Sequence, residues 1–157
     1  MPSRRSGRPK RRPGRVAERH LPPVAPSSPA ALVLDTHAFL WFVTGSDHLS
    51  ARARTAIENP GATVYVSAAS AWEITIKRQL GKLPASATFL PSLSGYLRRR
   101  GFAELPISVD HAEAAGGLPR HHRDPFDRML VAQAKAEGLP LVSNERVFDS
   151  YGVRRVW

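Results

Sequence analysis

The sequence predicts an α/β fold, with a mostly parallel sheet covered by helices on both faces. Two observations carry this prediction. Short apolar runs alternate with helical patterns from residue 31 to residue 157, which is the signature of βαβ units joined by right-handed crossovers. The first of those runs, Ala31-Leu32-Val33-Leu34, has no polar alternation, as a strand buried on both faces requires. No internal repeat of solenoid period competes with this organisation.

Taken in order, Ala31–Asp35 is the first strand. Thr36-His37 leads into a short buried helix, Ala38–Val43, closed by Gly45. Ser50 caps a second helix that runs to about Glu58 and stops at Asn59-Pro60-Gly61. Thr63–Val66 is the second strand, and Ser67 caps a helix reaching about Leu80 and ended by Gly81. Helical spacing assigns the apolar face of that helix to Ala69, Trp72, Ile76 and Leu80. Lys82–Ala87 is a loop, and Thr88–Arg100 becomes helical towards its end. Ala103–Ile107 is a weaker third strand, followed by a short helix, Val109–Ala115, and a loop, Leu118–Arg123. Asp124 is a good N-cap, and Pro125 suits the first helical position, where no N–H is needed. The helix they open carries Met129, Leu130 and Ala132–Ala136 as its apolar content. Leu139–Val142 is a fourth strand, Glu145–Ser150 a turn or short helix, and Val153–Trp157 a last strand.

The 157 residues are 42% hydrophobic, enough for one domain with a core. Cysteine is absent, which excludes disulfides, thiolate metal sites and cysteine nucleophiles. No apolar run approaches the roughly 20 residues of a membrane span, and a cytoplasmic location is expected. Seven of the ten net positive charges fall in residues 1–30, where eight basic residues face Glu18 alone. This Pro-rich segment has too few large apolar residues to offset chain entropy and is expected to be a disordered tail, with the folded domain at 31–157. It lacks the apolar core of a secretory signal. It is either a polyelectrolyte arm for nucleic acid or an inert upstream extension.

The chemistry is sought among the acids. Asp35 ends the first apolar run, Glu73 lies just past the second, and Glu145 follows Pro140-Leu141-Val142-Ser143-Asn144. Asp127 falls in the first turn of the helix that Asp124 caps. Ligands of open α/β sheets bind beyond the carboxyl ends of the strands, so acids placed there converge. Converging carboxylates repel, and one or more stays protonated unless a cation is present. Mg²⁺ resolves the conflict with oxygen ligands while keeping waters and substrate phosphates. The reading is an acidic metal pocket for phosphodiester chemistry. Simpler roles stand beside it. Asp124 and Asp127 serve a helix start without any chemistry, and Glu73 is four residues before Lys77, the spacing of an exposed ion pair. Arg98, Arg99 and Arg100 are read first as a solvated helix end, and second as an RNA-backbone patch. His121 and His122 are read as substrate-side or surface residues. No Ser-His-Asp arrangement, phosphate-binding glycine loop or dinucleotide fingerprint competes.

From Leu32 onward the chain resembles the PIN-domain ribonucleases, specifically the VapC-type toxins of bacterial toxin–antitoxin pairs. The resemblance lies in Leu34-Asp35-Thr36-His37 with Leu40-Trp41, and in Ser67-Ala68-Ala69-Ser70-Ala71-Trp72-Glu73-Ile74 with Lys77. It continues in His122-Arg123-Asp124-Pro125-Phe126-Asp127-Arg128-Met129-Leu130 with Ala132-Gln133-Ala134, and in Leu141-Val142-Ser143-Asn144 with Tyr151-Gly152-Val153. It implies a three-layer α/β/α PIN-like fold and a site that cuts RNA with Mg²⁺ or Mn²⁺. Asp35, Glu73 and Asp127 match the core acids of the family. Its fourth acid, commonly Asp, corresponds to Glu145, one methylene longer, with Asp149 as the alternative. Thr36 and Ser143 are implied as hydroxyls near the site, Asn144 as an orienting group, and Arg123 and Arg128 as RNA contacts. The implied partners are a VapB-like antitoxin and a second copy in a homodimer. The rival readings are a non-catalytic nucleic-acid-binding protein that uses the tail, and an inactive PIN-like scaffold that binds an antitoxin.

Overall fold

The computed structural model describes residues 30–88 and 92–157. The expectation for the tail therefore lies outside the described residues, apart from Ala30. Five strands form one sheet in the order β3-β2-β1-β4-β5, and every pairing is parallel. They are β1 (Ala31–Leu34), β2 (Thr63–Ser67), β3 (Ala103–Leu105), β4 (Leu141–Val142) and β5 (Arg155–Val156). The chain moves outward through β1, β2 and β3, then crosses back to lay β4 against the free side of β1. The order thus reverses between β1 and β4, and there a parallel sheet leaves a crevice at its carboxyl edge.

Neighbouring residues of β1 point to opposite faces, as a strand requires, and this divides the core in two. Leu32 and Leu34 join Val64, Val66, Val142 and Val156 beneath residues of α1 (Thr36–Val43), α2 (Ala51–Glu58) and α4 (Leu93–Arg100). Val33 instead joins Leu141, Leu130, Val131, Ala134 and Phe148 on the other face, beneath α6 (Pro125–Ala136). Helix α5 (Val109–Gly117) packs along α6. Two apolar layers around one sheet give the expected three-layer arrangement.

Helix starts follow the caps read from the sequence. Ser50 accepts from the Ala53 N–H, Ser67 from Ala69, and Asp124 from both Phe126 and Asp127. Gly81 and Gly101, at φ +65° and +75°, take the left-handed conformation that closes α3 (Ala68–Gln79) and α4 at little steric cost. A capping box at Ser108, closed by the His111 side chain, starts α5.

Three differences have physical reasons. Strand β3 ends at Leu105, because Pro106 has no N–H for the ladder. Lys82–Ala87 contains a 3-10 turn, Ala85–Ala87. Of the expected apolar face of α3 only Ala69 is buried: Trp72 is 63% exposed and Leu80 61%, while Ser70, Glu73 and Ile74 are buried in their place. The helix turns polar groups inward because it borders the strand ends, where the acids gather. No helix among the described residues is long and apolar enough to cross a membrane.

Candidate active site

Asp35 leaves β1 and caps α1, and its Oδ1 accepts the Ala38 N–H at 2.6 Å. It is 2% exposed. Burial pushes its carboxyl up to about 6, against the pull of the Ser143 hydroxyl and the Ala38 N–H, and the charge of Glu145 pushes the same way as burial. Asp127 stands in the first turn of α6. Its carboxyl is pushed up to about 7, first by burial and then by the charges of Asp124, Asp35, Glu73 and Glu145. Acids from the ends of β1 and β4, from α3 and from the start of α6 therefore share one field at the crevice. The cap reading holds: Asp124 binds two helix N–H groups, and its charge also bears on Asp127.

Glu73 combines both of its sequence readings as well. Its Oε1 lies 2.6 Å from Lys77 Nζ, the i,i+4 pair. Yet the residue is buried, and its Oε2 has no hydrogen-bond partner among the described residues. A buried carboxylate oxygen left in this way costs free energy unless a cation meets it. That orphan oxygen, together with an all-carboxylate donor set, fits a hard divalent ion. Among the described residues no three such side chains close on a single ion-sized point. Mg²⁺ is commonly bound through one or two carboxylates, with waters and substrate phosphates completing its shell.

The two candidates for the fourth acid have different surroundings. Glu145 acts on both Asp35 and Asp127. Asp149 is exposed and held by Arg155, with Nε 2.9 Å and the second contact 3.1 Å from its two oxygens, which also holds its carboxyl below the ordinary value. Ser143, fully buried, accepts the Glu145 N–H at 3.0 Å and donates to Asp35, so it links the two acids at the β1–β4 crevice. The Thr36 hydroxyl donates to Ser70 at 3.0 Å and ties the start of α1 to the buried face of α3. Asn144 is exposed just past β4.

The basic residues fall into three groups. Arg98, Arg99 and Arg100 end α4 where the chain enters β3, at the opposite edge of the sheet from the acids. Arg123 and Arg120, both exposed, line an open hollow of about 680 Å³ with His122, on the acid side. Arg128 spends its guanidinium on backbone carbonyls, at 2.9 Å to Ala115, 2.7 Å to Leu118 and 2.8 Å to Pro119, with longer contacts to Gly116 and His122.

Sequence reasoning missed two groups. Gln133, fully buried in α6, accepts the Ser67 hydroxyl at 2.5 Å and donates to the Pro106 carbonyl at 3.0 Å, locking α6 to β2 and the end of β3. An uncharged polar residue inside an apolar helical run was the available signal. His122 lies with Nε2 3.2 Å from Asp127 Oδ2, and its proximity to Asp127 in sequence was the only hint.

A family model for the PIN domain matches residues 32–153. This chain belongs to the PIN-domain family. Ribonuclease VapC16 of Mycobacterium tuberculosis (strain ATCC 25618 / H37Rv) is 42% identical to it over 65 residues, 40% of this chain and 43% of that protein. The match thus spans less than half the length of that curated relative. Among solved structures, VapBC2 from Rickettsia felis bound to a DNA fragment from their promoter superposes with TM-score 0.58 at 16% identity, covering 80% of this PIN domain's chain and 96% of the other. FitAcB from Neisseria gonorrhoeae superposes with TM-score 0.51 at 16% identity, covering 79% and 95%. At such identities these neighbours speak to the fold, which is the PIN fold the strand order describes.

Proposed function

We propose that this PIN domain is a metal-dependent endoribonuclease and the toxin of a toxin–antitoxin pair. The observation that carries this reading is the gathering of Asp35, Glu73 and Glu145 around Asp127, whose charges add to burial in pushing its carboxyl up to about 7, together with the orphaned Glu73 Oε2. Asp35 and Asp127 would hold Mg²⁺ or Mn²⁺, with Glu73 and Glu145 beside them. When bound, such an ion lowers the pKa of a water nucleophile and offsets charge on the phosphate. The remaining work belongs to the chain. Glu73 Oε2, buried and unpaired among the described residues, orients the attacking water. Ser143 fixes the Asp35 carboxylate. Arg120 and Arg123, at the hollow next to the acids, take neighbouring phosphates. Single-stranded loops are the proposed substrate, since unstacked bases are open to recognition there.

The name of the 42% identical relative, a ribonuclease, supports the activity. The complexes among the structural neighbours, one of them a toxin–antitoxin complex from Klebsiella pneumoniae, support an antitoxin partner. The exposed Trp72, Ile76 and Leu80 on α3 supply apolar surface for a homodimer. Sedimentation of Leu80→Glu tests that surface, and an unchanged dimer mass removes it. A cytoplasmic location goes with the reading.

Asp35→Asn is the test of the nuclease. The amide keeps an oxygen for the Ala38 N–H, and Asn caps helices as well as Asp, so the fold is retained. Cleavage of single-stranded RNA with Mg²⁺ is expected to disappear in the variant, and in the wild type with EDTA. A folded Asp35→Asn protein that cuts at the wild-type rate would overturn the assignment. Salt-sensitive RNA binding without turnover would favour the non-catalytic rival.

A further inference from the structure

The loop between α5 and α6 is held far more tightly than a surface connection needs. Arg128 reaches back from α6 and donates to the carbonyls of Ala115, Leu118 and Pro119 at 2.7–2.9 Å. The Tyr151 hydroxyl, buried, accepts the His122 N–H at 2.7 Å and donates to the Pro119 carbonyl at 3.0 Å. Both clamps hold the backbone that leads into His122. His122 Nδ1 accepts the Asp124 N–H at 3.1 Å, so that nitrogen has no proton of its own. In the neutral imidazole the proton is then on Nε2, and Nε2 faces Asp127 Oδ2 at 3.2 Å. A protonated Nε2 has no lone pair for a metal, so in this tautomer the ring is placed beside the carboxylate to donate to it rather than to ligate an ion.

We propose that His122 is the positioning residue of Asp127. Its Nε2–H holds one carboxylate oxygen and leaves the other for the cation, while Arg128 and Tyr151 keep the ring aimed. The inference rests on the metal-site reading above and deepens it. Outer-shell partners of this type orient the ligand and set its basicity. The Phe148 ring lies 5.7 Å from the imidazole and tilted against it.

Mn²⁺ binding to the full chain, read from the electron paramagnetic resonance of the free ion, tests this without RNA. His122→Phe keeps the ring volume and removes the donor, and is expected to weaken Mn²⁺ binding by about 10-fold or more. His122→Gln places an amide N–H near the Nε2 position and is expected to recover most of that loss, which a merely structural role would not produce. Tyr151→Phe, which removes the hydroxyl from the loop clamp, is expected to weaken binding in the same direction. Circular dichroism and thermal melting establish that each variant is folded. If His122→Phe binds Mn²⁺ like the wild type while Asp127→Asn does not bind, the positioning role is overturned and the metal site stands. If His122→Gln is as weak as His122→Phe, the donor is irrelevant and the role is likewise overturned. If the wild type binds no Mn²⁺, both readings fall.

Discussion

Asp127→Asn is expected to stabilise the metal-free protein, and by an amount that grows with pH. The carboxyl is displaced from 3.8 to about 7 by burial and by four neighbouring acids. Between those values the folded state keeps a proton that the unfolded chain has released, so stability falls as pH rises through this window and levels off above about 7. The displacement sets a ceiling of about 4 kcal/mol, at about 1.4 kcal/mol for each tenfold change in proton affinity. The Asp127 side chain is 21% exposed, and solvent screening reduces the expected difference to about 2 kcal/mol. An amide of the same shape removes the penalty and keeps an oxygen towards His122. Urea unfolding in EDTA at pH 5, 6, 7 and 8 reads the effect as a midpoint shift of about 1 M at pH 8, shrinking towards pH 5. Adding Mg²⁺ at pH 8 should stabilise the wild type alone and narrow the gap. A gap that is constant from pH 5 to pH 8, or a variant less stable at pH 8, would refute the idea that these carboxylates share one field.

The remaining predictions concern the neighbours of that field. Glu145→Gln should weaken Mn²⁺ binding and slow RNA cleavage, whereas Asp149→Asn, which only releases Arg155, should leave both as they are; a loss confined to Asp149→Asn would move the fourth acid there. Ser67→Ala removes a helix cap and strands Gln133 Oε1 inside the core, with an expected cost of about 2–3 kcal/mol in urea unfolding. A cost below about 0.5 kcal/mol would mean that the Ser67–Gln133 bond contributes little to locking α6 against β2.

Much of the frame was legible because it follows local rules. The caps at Ser50, Ser67 and Asp124, the stop at Gly81, and the apolar continuity of β1 each have a nearby physical cause, and the structure agrees with them. Asp35, Glu73 and Glu145 stood out because they follow apolar runs, and Asp127 because it sits in a helix's first turn. What could not be read is long-range pairing. Trp72, Ile76 and Leu80 share a helical face, and counting alone turns that face inward. The fold instead buries Ser70 and Glu73, since Ser70 receives the Thr36 hydroxyl and Glu73 adds to the charge around Asp127. Sites are where binary patterning gives way. Arg128 illustrates the same limit. Beside Asp127 in sequence it resembles a phosphate contact, but only the return of the α5–α6 loop shows that its donors are spent on carbonyls.

The seam between β1 and β4 has a consequence for robustness. Four residue pairs join β1 to β2, but only Val33↔Leu141 and Leu34↔Val142 join β1 to β4. Ser143 and Glu145 hang from that two-rung attachment. A modest local opening there would carry Ser143 and Glu145 away from Asp35 and Asp127 while β1 and β2 stayed paired. Loss of the proposed cleavage under mild denaturant should therefore precede loss of helical signal, because this two-rung join carries residues of the proposed site.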